Sequence, residues 1–283
     1  MTYATGVIDI AGLIDRYDWL FVDQFGVLRG DDHVYEGARD ALAALRDAGR
    51  KVIVLSNSGR SGRHNAERLA RMGIGPDLYE AFVTSGDVAR ALLSGDASPI
   101  RLAPGKTCLT ISTSGDTALA EALGLVPVSD AAAADLILIA GSQGETVTLE
   151  AYRDMLRPAA ARGVVAVCTN PDLEKLTVTG TAPAAGAIAA EYEAMGGPVI
   201  RIGKPFRVMY EHAYALAGSP DPSRLACVGD SLLHDVKGAV DFGVDAVLTA
   251  TGLSADLSPA ALADQTERLG YAPRFLMPRG FRP

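Results

Sequence analysis

Asp23 stands at the end of an apolar run, residues 19–22, and is followed by the turn residue Gly26. Such a run is typical of a buried strand, and in open parallel sheets ligands bind beyond the carboxyl ends of the strands. A carboxylate in that position can act as a nucleophile or as a ligand for a cation. A single strand-end aspartate is more often a turn residue, so the functional interpretation of Asp23 depends on the other polar segments.

A second polar segment, Ser56-Asn57-Ser58, follows the apolar run 52–55. Its hydroxyl, amide and backbone N–H groups can all be offered to an anion. Taken alone, the segment is explained more simply as a turn in which Ser58 caps a helix. It becomes a candidate phosphate site only if it lies at the same edge of the sheet as Asp23.

Two further segments supply an ammonium group and a pair of acids. Lys204 lies between a glycine and a proline, which fixes its position ahead of the helical stretch 207–217. Asp230 follows a glycine at the end of the predicted strand 225–229, and Asp235 comes shortly after it. Carboxylates in such a loop suit Mg²⁺, which is usually bound through one or two carboxylates together with water and phosphate oxygens.

These groups occur in a fixed order: a carboxylate, a Ser/Asn segment, a lysine and an acidic pair, each beside a predicted strand end. In that order the sequence resembles the haloacid dehalogenase superfamily, whose four motifs are an Asp, a Ser or Thr, a Lys and an acidic pair. The resemblance covers residues 17–252 and is to the class IIA branch. That branch has a large α/β cap, the C2 cap, between the second and third motifs, and it includes pyridoxal, phosphoglycolate and nitrophenyl phosphatases.

The resemblance implies a Mg²⁺-dependent phosphate monoester hydrolase that acts on a small phosphorylated metabolite through an aspartyl-phosphate. Its implied catalytic residues are Asp23, the nucleophile, with Ser56 and Lys204. The implied phosphate- and substrate-binding residues are Ser56, Asn57, Ser58, Lys204, Asn170 and Asp172. The implied Mg²⁺ ligands are Asp23, the backbone carbonyl of Phe25, Asp230 and, in support of the metal shell, Asp235. These roles are chemically consistent, because a carboxylate can attack phosphorus only when cations neutralise the phosphoryl oxygens.

Phe25 departs from the pattern of the family. Family phosphatases carry a second acid two residues after the nucleophile, which protonates the leaving group and later activates water. Phenylalanine can do neither. General acid–base catalysis contributes about 10²- to 10⁴-fold in rate, so turnover is expected to be lower without it but not necessarily absent.

Three interpretations of Phe25 remain open. In the first, which we prefer, the substrate has a good leaving group or another acid takes over; the candidate acids are Asp31, Asp32, His33, Asp172 and His234. In the second, the nucleophile attacks carbon as in dehalogenases, but those enzymes need no metal, and the retained acidic pair speaks against this. In the third, the chain is a phosphate-binding or regulatory protein with little turnover.

Composition excludes several other classes. The net charge of −8 and the lack of a Lys/Arg run argue against nucleic-acid binding. No apolar run approaches the roughly 20 residues of a membrane span. Three cysteines without a CxxC pair, and no N-terminal signal pattern, predict a cytoplasmic protein without disulfides. A homodimer formed through the cap is an expectation from the resemblance.

The elements that must position these residues alternate between short apolar runs and alanine-rich helical stretches, which predicts an α/β fold with a parallel sheet. The predicted strands are 19–23, 51–56, 82–84, 107–112, 136–140, 164–169, 199–202, 225–229 and 246–249. Residues 38–48 show helical periodicity before a glycine stop.

Two breaks divide the chain, a linker at 94–104 and the segment Gly196-Gly197-Pro198. They predict a second α/β domain inserted into the first. The expected arrangement is a Rossmann-like, doubly wound core formed by residues 1–87 and 199–283, with a smaller α/β cap at 88–198.

Overall fold

Strands and helices alternate along most of the chain. The structure is a computed structural model that describes residues 6–96, 98–103, 105–177 and 180–283. In chain order its strands are β1 (Gly6–Val7), β2 (Trp19–Asp23), β3 (Lys51–Ser56), β4 (Ala81–Thr84), β5 (Thr107–Ile111), β6 (Val126–Val128), β7 (Leu136–Ile139), β8 (Ala166–Cys168), β9 (Glu174–Thr177), β10 (Gly180–Pro183), β11 (Val199–Arg201), β12 (Leu225–Gly229), β13 (Asp245–Thr249) and β14 (Phe275–Met277). Its α-helices are α1 (Ile10–Arg16), α2 (Ala38–Asp47), α3 (Gly62–Arg71), α4 (Ser85–Ser94), α5 (Ala118–Ala122), α6 (Leu149–Ala161), α7 (Ala185–Ala194), α8 (Arg207–Leu216), α9 (Lys237–Phe242) and α10 (Pro259–Leu269).

The chain forms two compact units. Unit 1 consists of the described residues of Met1–Ser56, Arg63–Val83 and Lys204–Pro283, and unit 2 of those of Asn57–Gly62 and Thr84–Gly203. Unit 1 is therefore formed by segments from both ends of the sequence, and most residues of unit 2 come between these segments in sequence. The identification of unit 2 as a substrate-selecting cap stays a prediction.

The sheet of unit 1 has the strand order β1-β14-β13-β12-β2-β3-β4. The pairings from β1 through to β3 are parallel. After β2 the chain proceeds to one side through β3, and it later returns to β12 on the other side. The direction of winding therefore reverses between β2 and β12, and ligands of doubly wound sheets bind at such a reversal, beyond the carboxyl ends of the strands.

The sheet of unit 2 has the order β11-β8-β7-β5-β6 and is parallel in each of these pairings. A separate antiparallel hairpin, β9 and β10, lies in the same unit. A parallel five-stranded sheet with α6 and α7 packed on its core residues makes unit 2 an α/β unit in its own right.

Apolar residues explain why the central strands form where they do. Residues 20–23 of β2, residues 52–56 of β3 and the whole of β12 are buried, as expected for strands covered on both faces by helices. The side chains on one face of these strands join those of α1 and α2 in a single core; they are Leu20, Val22, Val52, Val54, Ala226 and Val228. In the part of the chain that the structure describes, no helix is both long and apolar enough to cross a membrane.

The predicted fold class is confirmed, and the nine predicted strands all form, with ends that differ by at most two residues. Five strands were missed: β1, β6, β9, β10 and β14 are short or carry few β-branched residues. The predicted linker begins where α4 ends; Ala97 and Pro104 within it lie outside the described residues.

The two compact units divide the chain at residues that differ from the predicted domain boundaries, which stay a prediction. β11 pairs with β8, so unit 2 continues to Gly203 instead of ending at residue 198. The Gly-Gly-Pro break is only the turn between α7 and β11. At the other side unit 2 takes in all of α4 from residue 84, and also the short segment Asn57–Gly62. The pairing of β11 with β8, which the sequence does not reveal, accounts for the boundary at Gly203.

Candidate active site

Three buried carboxylates meet where the winding of the sheet reverses. Asp23 ends β2, Asp230 directly follows β12, and Asp235 lies in the π-helical turn Leu232–Val236. One oxygen from each of them lies within 4.8 Å of the others. The carboxyl ends of two neighbouring parallel strands thus bring together acids that are about two hundred residues apart in sequence.

Lys204 completes this cluster. Its Nζ lies 2.5 Å from Asp23 Oδ1 and 2.7 Å from Asp235 Oδ1, and its side chain is only 4% exposed. Burial acts to lower the pKa of Lys204, but the carboxylates of Asp23 and Asp235 outweigh it and raise that pKa above its usual value. The ammonium group is therefore held in its charged form.

The three carboxylates are buried, although ionised carboxylates are normally solvated. Burial raises the pKa of Asp23 well above its usual value; Lys204 opposes this, while Asp235 and Asp230 add to it. Burial and the neighbouring Asp235 raise the pKa of Asp230 to about 7. Three ionised carboxylates and one ammonium would leave two negative charges without compensation in a buried site.

This donor set fits a divalent cation. Carboxylate oxygens are the ligands that Mg²⁺ prefers, and a doubly positive ion would balance the two uncompensated charges. The cluster contains no His or Cys, which zinc sites commonly use. Asp23, Asp230 and Asp235 are accordingly the residues that could hold Mg²⁺. Whether the carbonyl of Phe25 joins them stays a prediction.

The loop after β13 positions Asp230. The backbone N–H of Leu253 donates to Asp230 Oδ2 at 2.7 Å, and Ser254 Oγ donates to the carbonyl of Asp230, also at 2.7 Å. Gly26 and Gly252 both have positive φ, and a Cβ on either would overlap Asp230 Oδ2. The sequence analysis did not single out this loop. The available indication was that a glycine and a serine, Gly252 and Ser254, closely follow the predicted strand 246–249.

Gln24, between the nucleophile candidate and Phe25, links the first two polar segments. Its backbone N–H donates to Asp23 Oδ1 at 2.7 Å, and its side-chain Oε1 accepts a hydrogen bond from Ser56 Oγ at 3.2 Å. The Gln24 side chain is fully buried, and its Nε2 has no hydrogen-bond partner among the described residues. The structure thus places Ser56 beside Asp23 through a residue that sequence reasoning did not single out.

The chain matches two protein-family models and several solved structures. Residues 20–126 match a family model described as haloacid dehalogenase-like hydrolase, and residues 201–276 match a second, HAD-hydrolase-like model. A solved structure of a haloacid dehalogenase-like hydrolase from Brucella suis has 30% sequence identity and a TM-score of 0.80, and the match covers 95% of this chain and 97% of that chain. The chain belongs to the haloacid dehalogenase-like hydrolase family.

Two curated relatives are similar over most of their length. Sugar-phosphatase AraL of Bacillus subtilis is 28% identical over 264 residues, which cover 91% of this chain and 89% of that protein. Chronophin of Homo sapiens is 28% identical, with 86% of this chain and 84% of that protein covered. The resemblance found in the motifs is confirmed, and both parts of unit 1 that carry those motifs fall within the family models.

Phe25 of this haloacid dehalogenase-like hydrolase packs against a buried cation. Its ring is 40% exposed, and its centroid lies 4.1 Å from the guanidinium carbon of Arg29. Arg29 is fully buried and donates to the carbonyls of Gly30 and Asp31 at 2.7 Å each. Burial lowers the pKa of Arg29 to about 10, so it remains charged at neutral pH. Arg29 was not predicted, and nothing but its place in an apolar stretch could have indicated it.

The remaining predicted substrate residues of the hydrolase form a group in unit 2. Asn57 Nδ2 donates to Asp172 Oδ1 at 2.8 Å, and the backbone N–H of Asp172 donates to Asn170 Oδ1 at 3.1 Å. The carbonyl of Ser58 accepts from Ser85 Oγ at 2.9 Å, which anchors that segment to the start of α4. The structure brings Asn57, Asn170 and Asp172 together, and their binding of substrate stays a prediction.

The other candidate acids have partners of their own. His33 Nδ1 lies 2.9 Å from Asp32 Oδ1, and the side chains of Asp32 and His33 are 92% and 62% exposed. The carbonyl of Asp31 accepts from Arg29 and Arg68. His234 Nδ1 lies 3.2 Å from Ser231 Oγ, in the turn that carries Asp235. No described contact links Asp31, Asp32 or His33 to the carboxylate cluster.

Proposed function

We propose that this hydrolase is a Mg²⁺-dependent phosphate monoester hydrolase that acts on a small molecule through an aspartyl-phosphate on Asp23. The observation that carries the proposal is the buried cluster of Asp23, Asp230 and Asp235 with Lys204 at 2.5 Å from the nucleophile candidate. The relatives named as a sugar phosphatase and as haloacid dehalogenase-like hydrolases support it.

The hydrogen bonds of Asp23 distinguish its two oxygens. Oδ1 accepts from Lys204 and from the backbone N–H of Gln24. Because Oδ1 is engaged by these two donors, Oδ2 is the oxygen that we assign to attack on phosphorus. Lys204 thereby fixes the orientation of the carboxylate and places its own charge beside the incoming phosphoryl oxygens. Ser56 Oγ donates to Gln24 Oε1 at 3.2 Å, and its hydroxyl would turn from that acceptor to donate to one of the phosphoryl oxygens when substrate binds.

Two displacements complete the reaction. Asp23 Oδ2 attacks phosphorus, the ester P–O bond breaks, and the electron pair leaves with the ester oxygen. Water then attacks the phosphorus of the aspartyl-phosphate, and the P–O bond to Asp23 breaks to restore the carboxylate. A Mg²⁺ held by Asp23, Asp230 and Asp235 supplies the positive charge that makes attack by one anion on another favourable.

The decisive experiment measures phosphate release from a panel of phosphate monoesters with Mg²⁺ and with EDTA. Mg²⁺-dependent release is expected, together with its loss in Asp23→Asn. The matched control is Asp264→Asn on the exposed helix α10, which should retain activity. Halide release from 2-haloacids in EDTA would contradict the proposal and favour attack on carbon, and activity retained by Asp23→Asn would contradict Asp23 as the nucleophile.

A phosphate-binding protein with little turnover is the second candidate, because Phe25 brings no acid to the site. It predicts that inorganic phosphate binds in a Mg²⁺-dependent manner, by calorimetry, while release from every ester stays at the level of Asp23→Asn. Turnover above that level for any ester in the panel decides for the enzyme.

We further propose that Asn57, Asn170 and Asp172 bind polar substituents of the substrate that lie beyond the phosphate and its ester oxygen. Their mutual hydrogen bonds support this, since such a network holds amide and carboxylate groups in a fixed arrangement. Asp172→Asn should change the order of preference among substrates, measured as kcat/KM ratios, more than it changes the best kcat. A proportional loss for all substrates would contradict it.

We also propose that the protein forms a homodimer. Light scattering measures its mass in solution, and a strictly monomeric result would contradict this proposal.

A further inference from the structure

Exposed apolar side chains follow each of the three strands around the carboxylate cluster. Phe25 comes after β2, Leu233 after β12 and Leu253 after β13, and they are 40%, 50% and 65% exposed. These strands are neighbours in the order β13-β12-β2. We call the three residues the apolar rim.

The backbone ties each residue of the apolar rim to the cluster. The N–H of Leu253 donates to Asp230 Oδ2 at 2.7 Å. Leu233 lies in the π-helical turn that carries Asp235, and Phe25 is two residues from Asp23. Each of the loops that carry or hold the carboxylates of the cluster therefore also carries an exposed apolar side chain.

None of the three side chains can donate a proton. The Phe25 ring rests on Arg29, which keeps its charge and already donates to two backbone carbonyls. Large apolar side chains left exposed beside a ligand site commonly mark the place where an apolar part of the ligand is covered. The rim thus offers the leaving group an apolar contact where proton donation would otherwise be useful.

We propose that the substrates are phosphate monoesters whose ester oxygen is bonded to an aryl or enol carbon, so that the leaving group is apolar and departs as a stabilised anion without a proton from the protein. This inference rests on the proposed phosphatase function. In the first displacement the P–O bond breaks, the electron pair stays on the oxygen and is delocalised into the unsaturated group, and the anion takes a proton from water after it has left. No oxidant, reductant or further reactant is required.

The test measures how kcat/KM depends on the acidity of the leaving group. Nitrophenyl, phenyl and ethyl phosphates are compared with Mg²⁺ in the wild type and in Phe25→Asp. In the wild type we expect kcat/KM for ethyl phosphate to fall at least ~10²-fold below that for phenyl phosphate, within the range that general acid catalysis otherwise supplies. Phe25→Asp introduces a proton donor and should reduce this gap by a similar factor.

A second arm tests the apolar contact. Leu233→Asn and Leu253→Asn should weaken binding of phenylphosphonate by about 3- to 10-fold, part of what full burial of a leucine provides, and leave binding of inorganic phosphate unchanged. Leu216→Asn is the matched control, since Leu216 is 56% exposed on α8 and lies outside the rim. The phosphonate is not hydrolysed, so this readout does not depend on turnover.

The outcomes separate this inference from the function on which it rests. If no ester releases phosphate, the proposed function fails and the inference fails with it. If phosphate is released at similar kcat/KM from phenyl and ethyl esters, the proposed function stands and the inference is overturned. A selective loss of activity on ethyl phosphate in Asp172→Asn or His234→Gln would then identify the side chain that donates the proton. Equal effects of the two rim variants and Leu216→Asn on phenylphosphonate would also overturn it.

Discussion

Phe25 and Leu233 lie on loops that carry carboxylates of the cluster, and Leu253 donates to Asp230, yet the cluster and the rim have opposite surroundings. The charges of Asp23, Lys204, Asp230 and Asp235 are buried, whereas Phe25, Leu233 and Leu253 are exposed. Folding alone favours the reverse, because burying charge opposes folding and burying apolar surface drives it. Both regions are therefore arranged for a ligand: a cation and a phosphate would satisfy the cluster, and an apolar group would cover the rim.

Lys204→Met should produce the largest change, since it breaks the cluster from inside. Removing one partner of a buried ion pair is expected to destabilise the metal-free protein by about 3–5 kcal/mol, measured by urea unfolding. We also expect kcat/KM to fall at least ~10²-fold through loss of charge at the phosphoryl group.

Lys237→Met is the matched control for Lys204→Met. Lys237 forms a comparable pair with Asp241 at 2.7 Å, but both side chains are about half exposed. Its loss should change stability by no more than about 0.5 kcal/mol and leave activity intact. If Lys204→Met and Lys237→Met changed stability and activity equally, burial of the cluster would have no energetic effect. The proposed difference between the buried cluster and the exposed rim would then be wrong.

Mg²⁺ should stabilise the protein through the cluster and not through the rim. At a concentration of about one hundred times its dissociation constant, it is expected to add about 2.7 kcal/mol. Thermal unfolding with Mg²⁺ and with EDTA measures this gain. Asp230→Asn should abolish it while making the metal-free protein more stable than the wild type, because one repelling carboxylate is lost. A Mg²⁺ gain that survives in Asp230→Asn would remove Asp230 from the site.

Gln24→Leu is expected to have an intermediate effect. Leucine keeps much of the buried volume but removes the acceptor of the Ser56 hydrogen bond. We expect KM to rise about 5- to 10-fold with little change in kcat, which corresponds to the loss of one hydrogen bond of about 1 kcal/mol. Ser56→Ala in the Gln24→Leu background should then add little. Fully additive effects of the two substitutions would show that Gln24 does not act through Ser56.

The cluster could be predicted from the sequence because its members follow apolar strands. A parallel sheet brings the ends of those strands together. Asp23 and Asp230 each end a run of buried residues, and parallel pairing of β2 with β12 makes them neighbours. Their functional roles still stay predictions, since proximity alone does not define catalysis.

The supporting residues were not accessible in the same way. Gln24 and Arg29 are polar side chains whose burial depends on neighbours distant in sequence or on the turn of the loop, and no periodicity marks them. The extension of unit 2 to Gly203 was inaccessible for a related reason, because it depends on the pairing of β11 with β8, which is a tertiary contact. The exposure of Leu233 and Leu253 likewise became visible only in the folded chain.

Phe25→Leu should have the smallest effect. It tests whether the aromatic ring of the rim or the missing acid determines which leaving groups depart. Leucine keeps an apolar side chain that has no acidic proton to donate, but it removes the aromatic ring that contacts Arg29. A cation–π contact is worth roughly 0.5–2 kcal/mol, so a modest loss in urea unfolding is expected. The ratio of kcat/KM between phenyl and ethyl phosphates should stay as steep as in the wild type, because neither residue donates a proton. A ratio that flattened in Phe25→Leu as much as in Phe25→Asp would mean that the ring itself, and not the missing acid, determines which leaving groups depart.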